Sequence, residues 1–423
     1  MQIVCAARLK KVLRVKKMRI DEAYKTENEN FLFVRLAREI ERYKRENPDV
    51  EFIDLGVGDV KLPPIKTVSK AIIKAAKMQA RAATFKGYSP DFGYDFLREK
   101  ISRDYKRRGA EVKNDEIFIN DGAKRAVCDV IEIVRPETAL ILSPAYPLYK
   151  DMCAVSGVKT FMLGGDIENG FFLPPEKLSE KLSEKYSEKN SEKNYEKLPE
   201  NFIPDIIFIC SPSNPTGDEI SREILEKYVD FALKNGSLIL LDGAYAAFSG
   251  QSGSVYSIDG AEATVAEIRS YSKSLSFTGM RCGYTVIKAE NPLYKPMRKH
   301  QLLHSNGVSF ISQFGAAAAY SKKACKELND RINEYKKSAR IISSRLNKAD
   351  AIFSGGENAP YIFLKTPFNG RLFATKLLNA RGVAVTPGDG FGAENFVRIS
   401  CFCNEKQAKI AGERISSFML EIK

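Results

Sequence analysis

The sequence predicts an α/β protein: a large domain with a mostly parallel mixed sheet covered by helices, plus a small α/β domain built from both chain ends. Three observations predict it. Apolar runs rich in Ile, Leu, Val and Phe recur between residues 116 and 287 with few polar interruptions. Strands covered on both faces read this way, because a parallel sheet carries helices on each side. Helical periodicity separates the runs, and after about residue 308 the pattern changes to long helical stretches followed by a second strand–helix series.

In chain order, candidate strands cover 116–119, 138–142, 158–163, 205–209, 237–241, 265–269 and 282–287. Residues 94–107 and 221–234 place apolar side chains at helical spacing. Two long helical segments follow near 309–346. Then Tyr361-Ile362-Phe363-Leu364 reads as a strand, 371–380 as a helix, 396–400 as a strand and 405–420 as a closing helix. The expected division is a basic tail over 1–17, an N-terminal arm with part of the small domain over 18–65, a large ligand-binding domain over 66–310, and linking helices with the small C-terminal domain over 311–423. Within the large domain, Ser179-Glu180-Lys181 returns every four residues as far as Tyr195-Glu196-Lys197. A period of four drifts around a helix, and these residues are too polar to bury anything. Residues 179–200 are therefore expected to form a solvated loop.

Composition narrows the function classes. With 423 residues, 44% hydrophobic and 28% charged, the chain can bury a substantial core. No apolar run approaches the roughly eighteen residues of a spanning helix, so no membrane partner is expected. The net charge is +13, but Arg8, Lys10, Lys11, Arg14, Lys16 and Lys17 supply six of those charges without an acid among them. The rest is spread without a dominant stripe, which argues against nucleic acid as a partner. The basic start reads as a disordered tail, a consequence of a true start at Met18, a transit-like segment or an anionic-surface contact. Eight cysteines at 5, 128, 153, 210, 282, 325, 401 and 403 form no CxxC pair. Most lie in apolar runs, which fits buried thiols in a reducing, cytoplasmic compartment. His300 and His304 stand at i and i+4 and share a helical face, but a metal site needs further ligands and none is expected.

Chemistry-bearing motifs cluster at strand ends, where ligands of α/β sheets gather. Asn120-Asp121-Gly122-Ala123-Lys124 follows one strand and opens a helix, whose first N–H groups suit an anion. Tyr146, in Ser143-Pro144-Ala145-Tyr146-Pro147, offers an aromatic face at the same edge. Cys210-Ser211-Pro212-Ser213-Asn214-Pro215-Thr216-Gly217 makes a rigid turn in which Asn214 can direct a hydrogen bond. Asp242 ends a very apolar strand, where a carboxylate is costly without a cationic partner. Lys273 lies among hydroxyls in Ser270-Tyr271-Ser272-Lys273-Ser274, with Arg281 eight residues on. A lysine that condenses with an aldehyde cofactor needs a reachable, neutral amine and nearby donors for the cofactor's phosphate.

Together and in this order, the motifs resemble the fold-type-I pyridoxal-phosphate (PLP) aminotransferases over roughly residues 18 to 420. Asp54-Leu55-Gly56-Val57-Gly58-Asp59, Gly87-Tyr88-Ser89-Pro90-Asp91, Ser305-Asn306-Gly307, Gly355-Gly356-Glu357-Asn358-Ala359-Pro360-Tyr361 and Thr386-Pro387-Gly388-Asp389-Gly390-Phe391-Gly392 resemble the LL-diaminopimelate branch of that family. The resemblance implies pyridoxal 5'-phosphate held covalently by Lys273, the catalytic residue. It implies Asp242 on the ring nitrogen, Tyr245 and Asn214 on the phenolic oxygen, and Tyr146 stacked on the ring. Ala123, Lys124, Ser270, Ser272 and Arg281 would bind the phosphate, with Tyr88 of a second subunit, so a homodimer is implied. Arg398 would grip a substrate carboxylate, and Phe31, Gly58, Lys124 and Asn306 would line the substrate pocket. The implied reaction joins LL-2,6-diaminopimelate and 2-oxoglutarate to give tetrahydrodipicolinate and glutamate. Two departures touch substrate recognition: Phe31 stands where the family carries a tyrosine, and His304-Ser305 replaces the usual pair before Asn306. They leave open an aminotransferase for an aromatic, alanine or glutamate-type substrate, or a PLP lyase. A non-catalytic nucleic-acid binder on the same scaffold is the remote alternative.

Overall fold

A short strand, β1 (Ile53–Asp54), precedes the main sheet, which takes β2 (Ile117–Asn120), β3 (Thr138–Leu142), β4 (Lys159–Leu163), β5 (Ile206–Cys210), β6 (Leu238–Gly243), β7 (Val265–Ser270) and β8 (Gly283–Ile287). Each of the seven apolar runs read from the sequence has become one of these strands, with ends shifted by a residue or two. The computed structural model describes residues 21–24, 31–168, 170–177, 202–251 and 253–422. The basic start over 1–17 and the Ser-Glu-Lys repeat lie outside the described residues.

Spatial order in the main sheet is β2-β8-β7-β6-β5-β3-β4. Only β8 runs against its neighbours: it is antiparallel to both β2 and β7, and the pairs from β7 to β4 are parallel. Alternate residues feed two cores. Phe118, Ile141, Phe208, Leu240 and Ile268 pack on one face with Val127 and Val130 of helix Ala123–Val134 and Tyr149 of helix Pro147–Val155. Ile207, Ile239 and Val265 pack on the other face with Tyr228 and Val229 of helix Arg222–Asn235. Each large side chain so buried contributes about 1.5–3 kcal/mol. The last helix starts where Ser221 accepts a hydrogen bond from the Ile224 amide.

A second region holds β9 (Phe353–Gly355), β10 (Tyr361–Lys365), β11 (Val383–Ala384), β12 (Thr386–Pro387) and β13 (Phe396–Ser400). The order β12-β13-β10-β9 is antiparallel throughout, while β1 pairs with β11 in parallel. Ile53 and Leu55 share a core with Ile342, Leu346, Phe373, Ile399, Ile415 and Phe418. Early and late segments of the chain thus bury one another.

Behind the future site, the buried Glu267 on β7 accepts from the Tyr105 hydroxyl at 2.6 Å and from Arg269 Nε at 2.7 Å. Arg108 covers the Tyr105 ring, 4.1 Å from its centroid. Burial pushes the Glu267 carboxyl up, but Arg269, Arg108 and the Tyr105 hydroxyl together hold it below the usual range. Its stabilisation is therefore complete above about pH 4.3, the ordinary carboxyl range, and is lost as pH falls below that. Glu267→Ala strands a buried guanidinium and is expected to cost about 3–5 kcal/mol in denaturant unfolding at pH 7.

Candidate active site

The C-terminal ends of β2, β3, β5, β6 and β7 and the start of β8 meet at one sheet edge, bringing Asn120, Ser143, Cys210, Asp242, Ser270 and Gly283 together. The chain leaves β7 into a single helical turn, Tyr271–Ser274, which carries Lys273. Its Nζ donates to the Gly58 carbonyl at 2.5 Å and lies 5.8 Å from the Phe402 ring centroid. Burial pushes the amine down to about 8; Asp59 opposes this, and Arg398 and Arg281 add to it. About a tenth of the amine is then neutral at pH 7. Labelling of Lys273 by an amine-selective reagent should rise roughly tenfold from pH 7 to pH 9 and then level off, whereas surface lysines keep rising, as peptide mass spectrometry can read.

The Gly56–Gly58 turn that meets Lys273 is held by Asp54, whose carboxylate accepts from the Gly56 and Val57 amides. Gly58 packs against the Tyr361 hydroxyl, and a side chain there would collide with it. Tyr361 in turn bonds Tyr245, hydroxyl to hydroxyl, at 2.7 Å.

Asp242 is buried beside Cys210 in the β5–β6 ladder. It accepts from the Tyr149 hydroxyl at 2.7 Å and from the Ala244 amide at 2.9 Å. Burial nevertheless raises its pKa, and these two donors only partly offset that. Among the described residues no cationic group pairs with it. Tyr146 stands edge-on to Tyr149, centroids 5.9 Å apart. Burial, reinforced by Asp242, pushes its phenol up to about 12.

Arg398, on β13, has the opposite deficiency. It is 1% exposed, yet no carboxylate pairs with it among the described residues. Its Nη1 donates to Asn214 Oδ1 at 2.7 Å, and its Nη2 donates to the Gly56 carbonyl at 2.8 Å and to Thr386 Oγ1 at 3.3 Å. Nε has no hydrogen-bond partner. Aromatic rings wall it in: Tyr361 at 4.6 Å, Phe391 at 5.0 Å and Phe33 at 5.5 Å. A buried, unpaired guanidinium is costly unless an anion completes it. Arg398→Lys removes the planar fork and is expected to lower kcat/KM by roughly 10²–10³, mostly through KM, in steady-state kinetics.

At the near side of Lys273, helix Ala123–Val134 begins at Gly122 without a side-chain cap. The Gly122 backbone, at φ 105°, lets the Arg281 guanidinium approach; a Cβ there would lie 2.8 Å from Arg281 Nη2. Arg281 itself holds a left-handed φ of 52°, and its Nη1 donates to the Thr278 carbonyl at 3.0 Å and to Ser272 Oγ at 3.4 Å. Ser270 Oγ donates to Ser272 Oγ at 3.0 Å. Free helix amides, a guanidinium and two hydroxyls converge here, an arrangement suited to a phosphate.

The structure thus links Lys273, Gly58, Tyr245, Arg398 and Asn214 through contacts with Tyr361 and Gly56, and Asp242 with Tyr146 through Tyr149. Ser270, Ser272 and Arg281 bond one another beside Lys273, and Lys124 is exposed on the first helical turn beside Ala123. Three expected residues stand at the surface of the single chain. Tyr88 is 88% exposed and Asn306 is exposed, on loops that adjoin where Gly307 meets Ser89 and Pro90. Phe31 is 45% exposed, and Phe33, two residues on, is the ring that faces Arg398. Sequence reasoning missed Tyr149, Thr386 and Phe33, and it left Tyr361 without a role. Tyr149 had a signal, since it follows Tyr146 by three positions in a helix opened by Pro147.

Comparison with known proteins agrees with this geometry. The family described as aminotransferase class I and II matches residues 50–415. The chain is 36% identical to an LL-diaminopimelate aminotransferase of Methanosphaera stadtmanae, over 94% of this chain and 98% of that protein. It is 35% identical to one of Agathobacter rectalis, over 92% and 96% respectively. Among solved structures, the L,L-diaminopimelate aminotransferase of Chlamydomonas reinhardtii superposes with a TM-score of 0.83 at 29% identity, covering 95% of this chain and 98% of the other. The aspartate aminotransferase of Thermus thermophilus, 21% identical with a TM-score of 0.80, shares the fold. With the family match spanning most of the chain and these relatives nearly all of it, the chain belongs to the class I and II aminotransferases.

Proposed function

We propose that this aminotransferase uses pyridoxal 5'-phosphate to exchange the amino group of LL-2,6-diaminopimelate with 2-oxoglutarate, giving glutamate and, after cyclisation with loss of water, tetrahydrodipicolinate. One observation carries the reading: among the described residues, a buried carboxylate without a cation and a buried guanidinium without an anion lie at the sheet edge that also carries a lysine whose amine titrates at about 8. A cofactor with a basic ring nitrogen and a substrate with an α-carboxylate supply the two missing charges. PLP, when bound, supplies an aldehyde and an electron-accepting ring.

This chain's residues do the rest. Lys273 Nζ would hold the cofactor and move the proton from the substrate's Cα. Asp242, oriented by Tyr149 and the Ala244 amide, keeps the ring nitrogen protonated. The Tyr245 hydroxyl and the Asn214 amide would hold the phenolic oxygen. Tyr146 would cover one ring face, and the Ala123 helix start with Ser270, Ser272 and Arg281 would hold the phosphate. Arg398 orients the substrate carboxylate, and the rings of Phe33, Tyr361 and Phe391 exclude water around it. Exposed Phe85, Tyr88, Leu302 and Leu303 mark the surface at which a second copy would dock, adding its Tyr88 and Asn306 to the site.

The test is an amino-donor screen on the purified protein, following the cofactor's absorption band without keto acid. LL-diaminopimelate is expected to change the band stoichiometrically, and 2-oxoglutarate to restore it with release of glutamate. Failure with LL-diaminopimelate but success with an aromatic amino acid or alanine replaces the substrate and keeps the reaction type. Fragment release without a lasting change in the band makes the protein a lyase.

A further inference from the structure

The only two histidines in the chain, His300 and His304, end the helix Tyr294–His304. Their rings stack, with centroids 4.0 Å apart and planes at 19°. Gln301, between them, donates to the Ile119 carbonyl at 2.6 Å and so fixes the helix on the end of β2. This docking brings both imidazoles to Glu132 of helix Ala123–Val134, far away in sequence. His300 Nε2 lies 3.2 Å from Glu132 Oε2, and His304 Nε2 lies 3.7 Å from Glu132 Oε1. One ligand atom from each of the three residues fits within 4.8 Å of the other two.

We propose that Glu132, His300 and His304 form a binding site for a divalent transition-metal ion of the zinc class. The third ligand missing from the sequence pattern is Glu132, which the fold supplies. Two imidazoles and one carboxylate are a zinc-type donor set, with a water in the fourth position. Tetrahedral bonds of about 2.0–2.1 Å place donor atoms roughly 3.4 Å apart, so the donors are near enough, but the two rings must turn out of their stack for both lone pairs to meet one ion. Asp129 Oδ1 stands 3.9 Å from His300 Nδ1, on the ring edge away from Glu132. The same oxygen lies 2.7 Å from Arg125 Nε, so it orients the ligating ring, as carboxylates behind metal-bound histidines do, only by sharing or leaving that ion pair. The His304 and Glu132 side chains are 36% and 49% exposed, which leaves an entry path from solvent. An ion here staples the helix that opens at the phosphate-type cup to the helix that leads into Asn306.

Titration of the full chain with Co²⁺, read by visible absorption, tests the proposal. One ion per chain is expected, with ligand-field bands of an imidazole–carboxylate site that Zn²⁺ displaces. His304→Ala and Glu132→Gln, both at half-exposed positions that tolerate substitution, should each weaken binding by at least about tenfold, and Asp129→Asn by roughly tenfold. Absence of those bands, binding that survives both His304→Ala and Glu132→Gln, or a thiolate charge-transfer band marking a cysteine site would each overturn it.

Discussion

Lys273→Ala is expected to lower amino-transfer turnover by on the order of 10⁵-fold or more, since the proposed mechanism rests both holding the cofactor and moving the Cα proton on this one amine. The loss should appear in kcat, in steady state and in single turnover alike. Stability should not follow. The folded pKa of about 8 is depressed below that of an ordinary lysine, so the folded state carries an unfavourable charge below pH 8. That penalty fades as pH rises from about 8 to about 10.4. At pH 7 the alanine variant without cofactor should therefore unfold at the same or a higher denaturant concentration than the parent. A variant that lost activity and stability together would indicate a structural lysine instead.

Asp242→Asn carries the second largest effect. The substitution preserves shape but removes the charge that, in the proposed mechanism, holds the ring nitrogen protonated. Losing one member of a buried charge pair costs about 3–5 kcal/mol, so turnover should fall roughly 10²–10⁴-fold. Again stability separates the readings. Burial raises the folded pKa of Asp242, so its contribution to stability is greatest below the ordinary carboxyl range and falls as pH rises from there toward the folded value. The asparagine variant without cofactor should be at least as stable as the parent at pH 7. Tyr149 contributes to the same arrangement by holding the carboxylate with its hydroxyl.

Much of this was legible in the residues. The main sheet announced itself because strands covered on both faces must be apolar throughout, and the site residues sit where those strands end. Asp242 was recognisable as an anomaly, a carboxylate closing a run of leucines. The two-residue strands β1, β11 and β12 were not legible, because so short a stretch has no period. Helix Leu32–Glu46 was also legible, with Leu32, Leu36, Ile40 and Tyr43 on one face, although sequence reasoning missed it. Arg398 could be named from its motif. Its unpaired state could not, since that depends on Asn214, Gly56 and Thr386 converging from three distant segments. The same holds for Glu132, which no spacing rule connects to His300.

The central claim is that Lys273 is the amine that holds the cofactor. Borohydride reduction of the coloured protein, followed by peptide mapping, tests it most directly, because reduction fixes the cofactor to whichever lysine carries it. The cofactor mass is expected on the peptide containing Ser270 to Arg281, at Lys273, and nowhere in Lys273→Ala. A cofactor mass on Lys124 or any other lysine, or a reducible coloured species persisting in the alanine variant, would contradict the assignment.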